Sequence, residues 1–227
     1  MPSVSAVLLD VGGVFLLPSP EVMLPPLRAA GVQPDLPVLE RAHYKATAAV
    51  EATPEPDRWL AYLRAYASAC GVPEHRAAAA AAGLDRVIEG FTWRHIVPGS
   101  TDGLRDIAAL GVPLAIVSNS TGTVEEELAA LGICQTGPGT GTEVGTVIDS
   151  AVVGVEKPDP RIFRIALERL GAALDGAVHV GDTVRFDVDG ARAVGIRPVH
   201  LDPYRDCPAP DGHEHIRRLS DLPSLIR

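Results

Sequence analysis

The chain has 227 residues and carries 20 Lys and Arg against 29 Asp and Glu, a formal net charge of −9. At roughly 150 residues per domain, that length suits one large domain or a core with an insertion. A hydrophobic content of 46% and a charged content of 22% are those of a folded globular chain, and the acidic balance argues against nucleic-acid or anionic-membrane partners, which need a basic face.

The first element predicted is a buried parallel strand over Val4–Leu9, an apolar run ending at Asp10 and the Gly12-Gly13 pair. No Lys or Arg precedes Arg28, and Asp10 interrupts the apolar stretch, so this is a poor secretory signal. No run approaches the roughly 18 apolar residues of a membrane-spanning helix. A cytoplasmic protein without membrane contact is expected.

From about Phe15 to Val97 the character changes. Strand-like runs are missing, and helical patterns appear at Val38–Val50, Asp57–Cys70 and Glu74–Gly90, punctuated by Gln33-Pro34-Asp35, Thr53-Pro-Glu-Pro56 and Gly71-Val-Pro73. The simplest layout is a helical cap over residues 16–97, inserted in a core made of residues 1–15 and 98–227. Such an insertion can act as a lid. The cap carries 8 basic and 9 acidic residues, so almost all of the net negative charge belongs to the core.

Beyond the insertion, a helix over Gly103–Leu110 precedes a strand over Val112–Val117. Gly137-Pro-Gly-Thr-Gly-Thr-Glu-Val-Gly145 matches neither a dinucleotide fingerprint nor a P-loop and reads as a flexible surface loop. Pro160–Gly171 has Pro at its start, an apolar stripe and Gly at its end, the signature of a bounded helix. Strands follow at Ala177–Val180 and Ile196–Leu201. Strands alternating with helices imply an α/β fold with a Rossmann-like, doubly wound parallel sheet.

Cys70, Cys134 and Cys207 are odd in number and far apart, forming neither a disulfide framework nor a CxxC pair. Lys45 and Lys157 are the only lysines among 20 basic residues. A Lys kept where Arg is otherwise used suggests a need for a compact point charge at Lys157.

Four segments place reactive groups at the ends of predicted strands, where open α/β sheets bind ligands. They are Leu9-Asp10-Val-Gly-Gly-Val14, Ile116-Val-Ser118-Asn119-Ser120, Val155-Glu-Lys157-Pro-Asp-Pro160 and Val180-Gly-Asp182-Thr-Val-Arg-Phe-Asp187. Singly, Asp10 could be a turn residue, Ser118 a helix cap and Asp187 a partner for a helix dipole. Their order and spacing together resemble the haloacid dehalogenase-like hydrolase superfamily, over nearly the whole chain.

That resemblance implies a hydrolase in which Asp10 is the nucleophile, forming an aspartyl-phosphate that water then hydrolyses. It implies Mg²⁺ held by Asp10, the backbone carbonyl of Gly12 and Asp182, with Asp187 beside them. Lys157 would neutralise the nucleophile and the phosphoryl oxygens, while Ser118 and the Asn119 backbone N–H would hold a phosphoryl oxygen. The substrate class implied is a small phosphorylated metabolite, and the protein a monomer or homodimer.

One position departs from the family pattern. Where phosphatases of this group carry a second Asp, two residues after the nucleophile, this chain has Gly12. The missing acid leaves three explanations: a good leaving group, an acid from the cap or a water, or weakened activity. It also leaves two alternative functions: a metal-independent 2-haloacid dehalogenase, and a regulatory phosphate binder of the same fold. The Gly181-Asp182 pair speaks against the dehalogenase, and the retained nucleophile against a mere binder. Within the cap, His43, Tyr44, Lys45, Trp59, Tyr62, Arg64, Trp93, Arg94 and His95 are candidates for substrate contact. Tyr44, Trp59 and Tyr62 read better as packing, and His43 and His95 as surface histidines.

Overall fold

A computed structural model describes residues 4–54, 56–88, 92–207 and 212–226. Glu55 and Gly90, which figured in the expected punctuation and helix end, lie outside them. The chain divides into two compact units, Met1–Phe15 with Ile96–Arg227, and Leu16–His95.

The first unit is built on six parallel strands. In chain order they are β1 (Ala6–Leu9), β2 (Leu114–Ser118), β3 (Thr146–Asp149), β4 (Ala177–Gly181), β5 (Arg197–Leu201) and β6 (Glu214–Ile216). Their spatial order is β6-β5-β4-β1-β2-β3, the doubly wound, Rossmann-like arrangement. Winding reverses between β1 and β4, and the crevice beyond the carboxyl ends of those two strands is where such sheets bind ligands.

The strands are apolar on both sides because both sides are covered. Ala6, Leu8, Ala115 and Val117 pack with Ile162, Phe163, Ala166 and Leu167 of the helix Pro160–Leu170. The alternate residues Val7, Leu9 and Ile116 are equally buried. Strands buried on both faces lose the polar alternation of a half-exposed sheet. The Pro160–Leu170 helix starts where expected: Pro160 opens it, and the Asp159 side chain accepts the Arg161 N–H at 2.9 Å. Gly171 ends it at φ 62°.

The second unit holds helices Pro20–Ala29, Leu36–Ala52, Arg58–Ala69 and Glu74–Val87 around a core that includes Met23, Leu27, Leu63, Tyr66 and Leu84. Asp35 caps the second of these, accepting the Val38 N–H at 3.1 Å. The helix Pro20–Ala29 was not expected, because Pro25 and Pro26 lie inside it and each removes an N–H donor. Strand was not expected in this region either, yet Leu16–Pro18 pairs with Trp93–Ile96.

The glycine-rich segment is not a flexible loop. Thr142–Val144 pairs in parallel with Cys134–Thr136. The Gln135 amide donates to the Gly137 and Gly141 carbonyls, both at 3.2 Å, and accepts the Gly141 N–H at 2.9 Å. A Cβ on Gly139 would stand 2.5 Å from the Gln135 side chain and one on Gly141 2.7 Å from the Ile133 carbonyl carbon, so these two glycines serve close packing. Among the described residues, no helix is long and apolar enough to cross a membrane.

Candidate active site

Asp10 follows β1 directly, its N–H bonded to the Val180 carbonyl at 2.9 Å, so the β1–β4 ladder continues to the residue that bears the carboxylate. Asp182 follows β4, the strand across the winding switch. Asp187 lies in a wide six-residue π-helical turn, Val184–Asp189, in which the Val188 N–H reaches back to the Thr183 carbonyl. Such wide turns recur at functional sites. Ligand oxygens of Asp10, Asp182 and Asp187 lie within 4.8 Å of one another, and all three residues are buried.

Lys157 stands among them. Its Nζ lies 2.7 Å from Asp10 Oδ1 and 2.7 Å from Asp187 Oδ1, with only 2% of the side chain exposed. Burial alone would lower its pKa; the two carboxylates reverse this and hold it above the ordinary lysine value. Asp187 feels the same balance from the other side. Burial would raise its carboxyl, but the Lys157 ammonium and its hydrogen bonds keep it well below the usual carboxylate range.

Two more groups orient Asp187. His179 Nε2 donates to Oδ1 at 2.9 Å, and Thr183 gives Oδ2 both its N–H, at 3.1 Å, and its hydroxyl. Burial lowers the His179 pKa, so the ring is neutral, and a carboxylate can only accept, so Nε2 carries the proton. Neither residue was foreseen. The signal for His179 was a single polar side chain within the apolar run Ala177–Gly181.

Asp10 is pushed up to about 7, first by burial and then by the charges of Asp187 and Asp182, with Lys157 pulling the other way. Three buried carboxylates sharing one ammonium leave a surplus of negative charge, and a bound divalent cation is what offsets such a surplus. The donors are all hard oxygens, the preference of Mg²⁺, Mn²⁺ and Ca²⁺.

Glycine makes the space. A Cβ on Gly13, which sits at φ 66°, would lie 2.3 Å from Asp182 Oδ2; one on Gly181 would lie 2.1 Å from Asp187 Cγ. Gly12 is half-buried in the turn and, unlike Gly13, has no left-handed backbone. No backbone demand therefore requires glycine at position 12.

The second strand end is pinned from a distance. Ser118, buried at the end of β2, lies in register with Asp149 at the end of β3. Asp149, also unforeseen, accepts the N–H groups of Gly122, Val124 and Ala151. Asn119, expected to act through its backbone, uses its side chain on Lys157: Oδ1 accepts the Lys157 N–H at 2.7 Å, and Nδ2 donates to the Lys157 carbonyl at 3.0 Å.

His43, Tyr44, Trp59, Tyr62, Trp93 and His95 have partners within the helical unit. His43 is buried, with Nδ1 3.0 Å from the Tyr62 hydroxyl and ring contacts to Tyr44, Tyr62 and Trp93. His95 pairs with Glu40 at 2.9 Å. The surface reading of His43 fails because Tyr62 of the helix Arg58–Ala69 and Trp93 pack against its ring. Trp59 stacks on Tyr62 at 5.4 Å and donates to Asp85.

Sequence comparison places this geometry in a lineage. A mouse protein named haloacid dehalogenase-like hydrolase domain-containing protein 3 is 36% identical over 130 residues, 56% of this chain and 48% of the relative. A phosphoserine phosphatase of Thermus thermophilus is 35% identical over 107 residues, 47% of this chain and 41% of the relative. The chain thus spans about half the length of the curated relatives it matches or less. A magnesium-bound hydrolase structure from Bacillus subtilis superposes with a TM-score of 0.65 over 99% of both chains at 17% identity, a likeness of fold. The family model for haloacid dehalogenase-like hydrolases matches residues 4–195, from β1 past the π-helical turn that bears Asp187. With the doubly wound sheet and the carboxylates at its winding switch, that match makes the chain a member of the haloacid dehalogenase-like hydrolase family.

Proposed function

We propose that the protein is a Mg²⁺-dependent phosphatase of small phosphorylated metabolites. The observation that carries this is one buried ammonium among three carboxylates at the switch point. An anionic substrate cannot approach such a site unless a further cation is bound, and a hydrolase acting on phosphate supplies the reason to bind one. The phosphatase name of a relative 35% identical over 107 residues supports the reaction class.

Asp10, the carboxylates Asp182 and Asp187, and the Gly12 carbonyl would hold the ion. Bound there, it would keep Asp10 ionised and screen the phosphoryl charge. Asp10 then attacks phosphorus, the ester P–O bond breaks, and a phosphoryl group is left on the carboxylate until water releases it. Lys157 keeps its positive charge throughout and lies against the nucleophile, where charge changes during reaction. Ser118 and the Asn119 N–H receive a phosphoryl oxygen. Asp187 orients Lys157, and His179 and Thr183 orient Asp187. Substrate choice falls to the helical unit, acting as a cap.

Gly12 removes the usual proton donor to the leaving alcohol, so activity is expected to favour leaving groups that need little protonation. The test is a screen of phosphorylated metabolites with Mg²⁺, with EDTA, and with Asp10→Asn as the blank, alongside a 2-haloacid. Hydrolysis of a phosphate ester that EDTA and Asp10→Asn both abolish is expected. Metal-independent release of halide would overturn the proposal.

A further inference from the structure

The β5–β6 edge of the sheet gathers four ligand-type side chains that the proposed reaction does not use. His200 lies on β5, Cys207 in the segment after it, His213 just before β6 and His215 on β6. One ligand atom from each falls within 4.8 Å of all the others. His200 Nδ1 is 3.1 Å from His213 Nε2, and Cys207 Sγ is 3.6 Å from the same nitrogen. The parallel register sets His215 opposite His200.

His200 is already oriented as a ligand. Its Nε2 lies 3.1 Å from the backbone carbonyl of Asp182. A carbonyl only accepts, so Nε2 carries the proton and Nδ1 is the nitrogen left facing His213. Fixing one ring nitrogen on a carbonyl so that the other can bind metal is how proteins orient ligating histidines.

We propose that His200, Cys207, His213 and His215 form a tetrahedral site for a zinc-class divalent cation. With metal–nitrogen bonds of about 2.0–2.1 Å and metal–sulfur bonds of about 2.3 Å, tetrahedral geometry sets ligand atoms about 3.4–3.6 Å apart. The spacings of 3.1 and 3.6 Å need adjustments of only a few tenths of an ångström. Imidazole and thiolate favour zinc over magnesium, while the carboxylate cluster has the opposite preference, so the two sites sort metals by ligand type. Four protein ligands leave no open position, which makes the site structural. It ties the segment carrying Cys207 to β6 and, through His200, steadies the main chain at Asp182.

The test uses the whole protein, stripped by chelation and titrated with Co²⁺ as a spectroscopic probe. One equivalent is expected to produce the intense visible bands of tetrahedral cobalt and a thiolate charge-transfer band. Zn²⁺ should displace them; excess Mg²⁺ should not. Cys207→Ser should lose the charge-transfer band, and Asp10→Asn should keep it. Only the weak bands of octahedral cobalt, or a thiolate band that persists in Cys207→Ser, would overturn the proposal. X-ray absorption of the zinc-loaded wild type needs no variant: three nitrogens and one sulfur are expected, and an all-oxygen shell contradicts the site.

Discussion

The side-chain amide of Asn119 grips both main-chain polar groups of Lys157, accepting its N–H at 2.7 Å and donating to its carbonyl at 3.0 Å. The end of β2 thereby sets where the Lys157 ammonium stands, although 38 residues separate the two in sequence. Asn119→Ala removes both bonds. A misplacement of about 1 Å at a catalytic group can cost about 10²-fold, so kcat on a phosphate ester should fall by roughly that factor. Asn119→Asp, which keeps the acceptor and loses the donor, should lie between. Steady-state kinetics with thermal melts would separate displacement of Lys157 from unfolding.

Gly181 and Gly13 are expected to tolerate no side chain. In Gly181→Ala the new methyl would meet Asp187 Cγ at 2.1 Å, and in Gly13→Ala it would meet Asp182 Oδ2 at 2.3 Å with the backbone at φ 66°. Each substitution should destabilise by more than about 1 kcal/mol. Each should also weaken Mg²⁺ dependence at the displaced carboxylate, measured as the Mg²⁺ concentration giving half-maximal rate.

Gly12 should behave differently. Its backbone is not left-handed, and Gly12→Asp is expected to restore a proton donor. Turnover of alkyl phosphates should rise toward the roughly 10²-fold lower end of general-acid effects, with little change for p-nitrophenyl phosphate. No gain with alkyl phosphates would mean that the leaving group already receives its proton from another acid.

The helical unit offers a stability control. Tyr62→Phe deletes the hydroxyl bonded to buried His43 Nδ1. The expected loss is about 1 kcal/mol, read from urea unfolding, with Mg²⁺ dependence unchanged.

Much of the fold was legible because buried parallel strands are written as continuous apolar runs. Val4–Leu9, Ala177–Val180 and the helix Pro160–Gly171, with Pro at its start and Gly at its end, carried their own signals in the sequence. Strands β3 (Thr-Val-Ile-Asp) and β6 (Glu-His-Ile) escaped notice because neither holds more than two consecutive apolar residues. The pair Leu16–Pro18 and Trp93–Ile96 is formed by residues far apart in sequence, which local pattern cannot join. Among site residues, Asp10, Lys157, Asp182 and Asp187 stood out as charges placed at strand ends. What sequence could not show is which residues position them. Asp149 acts through contacts to Gly122 and Val124 that exist only once β2 and β3 are side by side, while His179 and Thr183 reach Asp187 only through the π-helical turn that follows β4. The same holds for Cys207, whose metal-type partners are three histidines rather than a second cysteine.

A nucleophilic Asp10 would carry a phosphoryl group during turnover. The direct measurement is rapid acid quench of enzyme turning over a phosphate ester with Mg²⁺, followed by peptide mass analysis. A phosphoryl adduct on the peptide containing Asp10, removable by hydroxylamine and absent from Asp10→Asn, is the predicted result. Continued turnover by Asp10→Asn, with no adduct on that peptide in the wild type, would contradict the account.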